Sequence, residues 1–164
     1  MTTDAPPRFS EATLAEYRAI LGRYPTRRAA LMPTLWLAQR DFGWLSLPVQ
    51  EYVAELMELP LAWVTSVASF YTMYWKEPKG RWHLQICRNL SCLLRGGAAV
   101  QQALEQRLGI RHGERTADGR FSLEEVECLA SCGTAPVMQV NNADYHENLD
   151  PERALALIER LARE

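Results

Sequence analysis

The residues of this chain best suited to chemistry are four cysteines, arranged as Cys87-x4-Cys92 and Cys128-x3-Cys132 with 35 residues between the pairs. Four thiolates gathered from two short loops are the donor set of a [2Fe–2S] cluster, and equally of a structural zinc ion. Spacing alone leaves both open. The third use of cysteine, as an inert buried side chain, does not explain why the residues recur in pairs. Other cysteine chemistries are excluded by pattern. No C-x-x-C is present for dithiol exchange and no C-x-x-C-H for haem attachment, and His83, His112 and His146 lie outside any C-x-H pair of the kind a Rieske centre uses.

The surroundings of the first pair bear on the same chemistry. Arg88 and Arg95 flank it, where a cation would ease the negative charge of a four-thiolate site, although exposed arginines need no such role. Gly96-Gly97 follows Cys92 near a helix start, which points to close backbone packing beside the cysteine loop rather than to phosphate binding. His83 faces the side of its strand opposite Ile86 and reads as a surface or packing residue, not a ligand. No G-x-G-x-x-G, Walker loop, G-x-S-x-G or H-E-x-x-H occurs, so nothing marks a nucleotide site or hydrolytic centre.

The elements that must position these cysteines change character near Glu77-Pro78-Lys79-Gly80, which divides the chain into a helical region, 1–79, and an α/β region, 80–164. In the first, Leu14, Tyr17 and Leu21 form a helical stripe after a Ser10 cap, with Phe9 placed to staple. A second stripe, Leu31, Leu35, Ala38 and Phe42, ends near Gly43 and tolerates Pro33 early in its course. A third helix opens at Ser46 or Leu47 with Pro48 just inside. A fourth, about 60–71, is apolar nearly all round and is expected to be the most buried.

In the second region, Trp82, Leu84 and Ile86 alternate with polar residues in a half-buried strand ending at Cys87. A helix with Leu94, Ala98, Gln101, Leu104 and Leu108 on one side follows, closed by Gly109. Phe121 to Val126 suggests a second strand ending at Cys128, with a bulge at Glu124-Glu125. A hairpin turns at Asn141-Asn142, and Asp150-Pro151 caps a last helix carrying Leu155, Ile158 and Leu161 or Ala162. This β-α-β-β-α order fits a small α/β sandwich with a mixed sheet whose first two strands are parallel. Both cysteine pairs then begin at strand ends on one edge of that sheet.

Composition sets the outer bounds. The 164 residues are 48% hydrophobic and 23% charged with a formal net charge of −2, which fits a globular chain and gives no footprint for nucleic acid or an anionic membrane. The opening residues lack the basic and apolar layout of a secretory signal, so a cytosolic location and free thiols are expected, and Asn89-Leu90-Ser91 is a chance sequon. Leu59 to Trp75 is uncharged over 17 residues, but Pro60 and four hydroxyl residues make it a core segment rather than a membrane span. Twelve of the 15 aromatic residues lie at or before Trp75, most suited to a core and some to docking on another subunit.

Two runs, Ile86-Cys87-Arg88-Asn89-Leu90-Ser91-Cys92-Leu93-Leu94-Arg95-Gly96 and the stretch from Val126 through Cys128-Leu129-Ala130-Ser131-Cys132-Gly133-Thr134-Ala135-Pro136 to Asn141, resemble the thioredoxin-like [2Fe–2S] E-subunit family of NADH:quinone oxidoreductase, respiratory complex I. The resemblance extends through Val67 to Tyr71 and Ala29 to Pro33. It implies a helical N-terminal bundle followed by a thioredoxin-like α/β domain lacking the redox dithiol. It further implies one [2Fe–2S] cluster on Cys87, Cys92, Cys128 and Cys132, and no substrate site on this chain. The expected partners are a flavin-bearing, NADH-oxidising subunit and other hydrophilic-arm subunits, on the cytoplasmic side of a membrane-bound complex that this chain does not itself enter. Related subunits serve NAD-linked hydrogenases and formate dehydrogenases. Ala130 departs from the family, which usually has glycine there, and its methyl would restrict the loop if the backbone requires positive φ.

Overall fold

A computed structural model describes residues 6–164, so the opening residues that bear on the absence of a signal lie outside the described residues. The chain divides into two compact units, Met1–Pro78 and Lys79–Glu164. The first holds four helices, α1 (Glu11–Leu21), α2 (Leu31–Phe42), α3 (Leu47–Met57) and α4 (Leu61–Phe70). Their starts and stops follow from local chemistry. The side chains of Ser10 and Ser46 accept hydrogen bonds from the backbone N–H groups of Thr13 and Val49, and Gly43 ends α2 in the left-handed conformation. Phe9 packs parallel to Phe42 at 5.6 Å and edge-on to Tyr52 at 5.2 Å between ring centres, tying the residues before α1 to α2 and α3. Gln39 binds the segment after α4, donating to the Met73 carbonyl at 3.0 Å and accepting from the Trp75 N–H at 2.6 Å.

Helix α4 departs from expectation. Only Val64 and Ala68 are buried on it, while Leu61, Trp63, Phe70 and adjoining Tyr71 are exposed, Phe70 to 78%. An apolar composition all round indicates burial only if neighbours exist to cover every side. The core formed by α1 to α3 reaches one narrow stripe of α4, and a helix this uncharged is left showing its apolar face.

The second unit is a four-stranded sheet in the order β2-β1-β3-β4, built from β1 (Trp82–Cys87), β2 (Phe121–Val126), β3 (Met138–Val140) and β4 (Asp144–His146). Strand β1 is central, parallel to β2 and antiparallel to β3. Between β1 and β2 the chain forms not one helix but two, α5 (Leu90–Leu94) and α6 (Gly97–Leu108), broken at Gly96 with φ of 95°. The break turns the stripe: Val100 and Leu104 enter the core, whereas Leu94, expected there, is 77% exposed and Ala98 also faces out. Helix α7 (Pro151–Leu161) is capped by Asp150 and buries Ala154, Leu157, Ile158 and Leu161, with Leu155 only partly covered. Leu84, Ile86, Phe121, Leu123, Met138 and Val140 share a core with α6 and α7.

Strand β2 pairs with β1 in unbroken register from Phe121 to Val126, so it has no bulge, and it ends two residues before Cys128. The polar residues of β1 are buried as well. His83 pairs in register with Ser122, and its ring lies 2.8 Å from the Ser122 hydroxyl through Nδ1 and 2.8 Å from Glu124 through Nε2. Gln85 exchanges hydrogen bonds of 2.7 and 3.0 Å with Asn142 in the hairpin turn, where Asn141 and Asn142 both hold positive φ. Mutual hydrogen bonding makes the burial of this polar row tolerable, and alternation of residue type could not reveal it. Among the described residues no helix is long and apolar enough to cross a membrane.

Candidate metal centre

All four cysteines are free thiols. Cys87 is the last residue of β1 and donates its backbone N–H to the Val137 carbonyl at 3.2 Å. Cys92 lies in α5, whose first turn is capped by the Asn89 side chain accepting from the Leu90 N–H at 2.9 Å. These two residues are buried, at 3% and 1% exposure, in a small apolar nest with Ala135 and Val137. Gly97 makes that position attainable. A Cβ there would stand 2.8 Å from the Cys92 carbonyl oxygen, so α6 can approach the α5 backbone only with glycine at this point. The close-packing expectation for Gly97 holds.

Cys128 and Cys132 belong to an exposed loop after β2 that closes with a single 3-10 turn, Cys132–Thr134. Their sulfurs are 3.4 Å apart. The Ala130 N–H donates to Cys128 Sγ at 3.3 Å, which Ala130 achieves at φ of 62°, the left-handed conformation that its methyl disfavours.

Each pair disfavours charge in the free thiol state. Burial pushes the Cys92 thiol up to about 11, with the adjacent Cys87 adding to the effect and the Val137 backbone N–H opposing it. Cys132 is raised by its hydrogen bond and charge interaction with Cys128, and the Ser91 hydroxyl lowers it. The contact from Ser91, in the first cysteine loop, to Cys132, in the second, shows that the fold brings the two loops face to face. The α5 segment and the 3-10 turn adjoin directly.

The donor set fits a binuclear cluster. Two sulfurs on one tetrahedral metal with bonds near 2.3 Å stand roughly 3.8 Å apart, and the Cys128–Cys132 separation of 3.4 Å is within a few tenths of that. Among the described residues no three His, Cys, Asp or Glu side chains gather around one point, and the grouping is two and two. His83 has its ring committed to Ser122 and Glu124, and Arg88 is paired at 2.7 Å with Glu127. Of the expected donors to sulfur, Ala130 is one. The Asn89–Ser91 backbone is not among them; the Ser91 hydroxyl and the Val137 N–H serve instead. Val137 was invisible in the sequence because strand pairing, not spacing, delivers it.

Comparison with known proteins follows the same lines. The profile of the thioredoxin-like [2Fe–2S] ferredoxin family matches residues 17–162. An NADH-quinone oxidoreductase E-type subunit of Rhizobium meliloti (strain 1021) is 51% identical over 144 residues, 88% of this chain and 85% of that one. The corresponding NADH-quinone oxidoreductase E-type subunit of Rickettsia bellii (strain RML369-C) is 42% identical over 156 residues, 93% of each. Among solved structures, an NAD+-reducing [NiFe]-hydrogenase in the air-oxidized state aligns with a TM-score of 0.69 and 25% identity over 79% of this chain, which spans only 22% of the hydrogenase chain. Matched by the profile over most of its length, and by relatives this similar, the chain belongs to the thioredoxin-like [2Fe–2S] ferredoxin family.

Proposed function

We propose that this chain is the [2Fe–2S] electron-transfer subunit of an NADH:quinone oxidoreductase, with the cluster held by Cys87, Cys92, Cys128 and Cys132. The observation that carries the assignment is two pairs of free thiols on adjoining loops, in a chain whose relatives are E-type subunits of that complex. In this reading residues 80–164 form the ferredoxin domain and residues 1–79 a helical domain. Bound, the cluster supplies a reversible one-electron step at a site that needs no proton donor or substrate pocket.

The chain's own residues hold and tune that site. Cys87 and Cys92 offer a preformed, water-excluding half, whereas Cys128 and Cys132 offer a half that reaches the surface. The Val137 and Ala130 N–H groups and the Ser91 hydroxyl point at sulfur and stabilise negative charge there, which raises the potential of a thiolate-bound cluster. The electron partner is the flavin of an NADH-oxidising subunit on the cytoplasmic side of the membrane. The exposed apolar face of α4 supports a docking role for the helical domain.

The test is iron, acid-labile sulfide and zinc content of anaerobically purified full-length chain, with visible spectra before and after dithionite. Two irons and two sulfides per chain with reversible bleaching are expected, and each single Cys→Ser variant of the four should lose colour. One zinc and no colour after attempted reconstitution would make the site a structural staple and end the electron-transfer assignment. The likeness to a hydrogenase component favours a second parent complex, and affinity capture separates the two: quinone-reducing membrane subunits support the first, a nickel subunit the other.

A further inference from the structure

The exposed cysteine pair raises a physical problem that the buried pair does not. None of Cys132, Gly133 and Thr134 is buried, and Cys128 is exposed, so no core packing fixes the loop on which half of the ligand set stands. A loop held only by its own backbone would sample many geometries, and ordering it would be charged against metal binding.

What holds it comes from elsewhere in the chain. The connection from β4 to α7 runs alongside the residues that follow Cys132: the Asn148 N–H donates to the Thr134 carbonyl at 2.7 Å and the Leu149 N–H to the Pro136 carbonyl at 3.0 Å. Glu147, the first residue of this connection, accepts a hydrogen bond from the Ser131 hydroxyl. Ser131 Oγ and Thr134 Oγ1 are 2.7 Å apart, and the Thr134 hydroxyl also reaches the Ser131 carbonyl at 3.2 Å. The two hydroxyls lie on either side of Cys132, and together they hold the Glu147 carboxyl below the usual carboxylate range. One carboxylate therefore straps the loop across the position of Cys132.

We infer that Glu147 is a positioning residue for the cluster, acting through the Ser131 and Thr134 hydroxyls to lock the Cys128–Cys132 loop in ligating geometry. The inference rests on the four-cysteine reading above. Glu147 touches no sulfur; its effect is on the loop, and charge-assisted hydrogen bonds from two hydroxyls are stronger than neutral ones.

The experiment uses the full chain with its cluster. Loss of visible absorbance to excess ferrous chelator is followed in wild type, Glu147→Ala, Glu147→Gln and Ser131→Ala, with the reduced electron paramagnetic resonance spectrum and the thermal midpoint of each. Glu147→Ala should lose the cluster roughly 10- to 100-fold faster, the range for partners that orient metal ligands, with a changed reduced spectrum and a thermal midpoint like wild type. Glu147→Gln, which keeps an acceptor oxygen, should recover most of the difference. Ser131→Ala should match Glu147→Ala, and the double variant should be no worse than either. Unchanged loss rate and spectrum in Glu147→Ala and Ser131→Ala would overturn the latch while leaving the four-cysteine site standing. A wild-type chain that takes up no iron and sulfide would overturn the site reading itself.

Discussion

At the residue scale, function was legible wherever it depended on spacing and illegible wherever it depended on which strand lies beside which. Two cysteine pairs could be picked out because each loop is short. Val137 and Glu147 could not, since β3 and the β4–α7 connection bring them to the site from outside both loops. Ala130 lies between these cases. Its departure from glycine is visible in the sequence, and the structure supplies the condition that gives it a cost, a φ of 62°. Left-handed backbone costs alanine roughly 1–2 kcal/mol, part of which glycine returns through its more flexible unfolded chain. Ala130→Gly should therefore raise the unfolding free energy by about 0.5–1 kcal/mol, read as a higher urea midpoint at unchanged slope. A lower midpoint would mean that the Ala130 methyl makes compensating contacts.

At the element scale, caps and glycine stops announced most helices, because Ser10, Ser46, Asp150, Gly43 and Gly109 act through bonds within a turn or two of themselves. The α5/α6 break was hidden because an apolar stripe can be drawn across Gly96 on paper. The buried polar row of β1 and β2 was hidden because it depends on a pairing partner 39 residues away. That row has a measurable consequence. Burial lowers the His83 pKa from its ordinary 6.5 despite the opposing hydrogen bond from Glu124, and Lys79 lowers it further. Glu124 is pushed down to about 2, chiefly by His83. A histidine depressed in the folded state leaves the unfolded chain to take up the proton first, so its contribution is complete above about pH 6.5 and declines below. The Glu124 contribution is present above its ordinary 4.5 and is lost toward 2, so both act in the same direction. Unfolding free energy should fall as pH drops from about 7 to 5, and His83→Gln should flatten the fall. His146, also lowered by burial, persists in that variant and leaves a residual slope. Equal slopes in the two proteins would assign the acid sensitivity elsewhere.

At the scale of the whole molecule, the division into a helical and an α/β region was legible from the change of periodicity near Gly80, but the exposure of α4 was not. Hydrophobicity reports how much a helix gains from being covered, not whether this chain supplies the cover. If the flavin-bearing subunit is the cover, Phe70→Asp with Trp63→Ser should weaken its capture by tenfold or more, about 1.4 kcal/mol. The thermal midpoint of the isolated chain should scarcely change, since both side chains already face solvent. Full-strength capture would remove α4 from the docking surface. The same face bears on the life of the chain before assembly. A helix showing Leu61, Trp63 and Phe70 with no charge among its ten residues has no gatekeeper against self-association. Copies made in excess of whatever covers α4 meet one another through it, so the soluble yield of this protein is set by the supply of its cover rather than by its own folding stability.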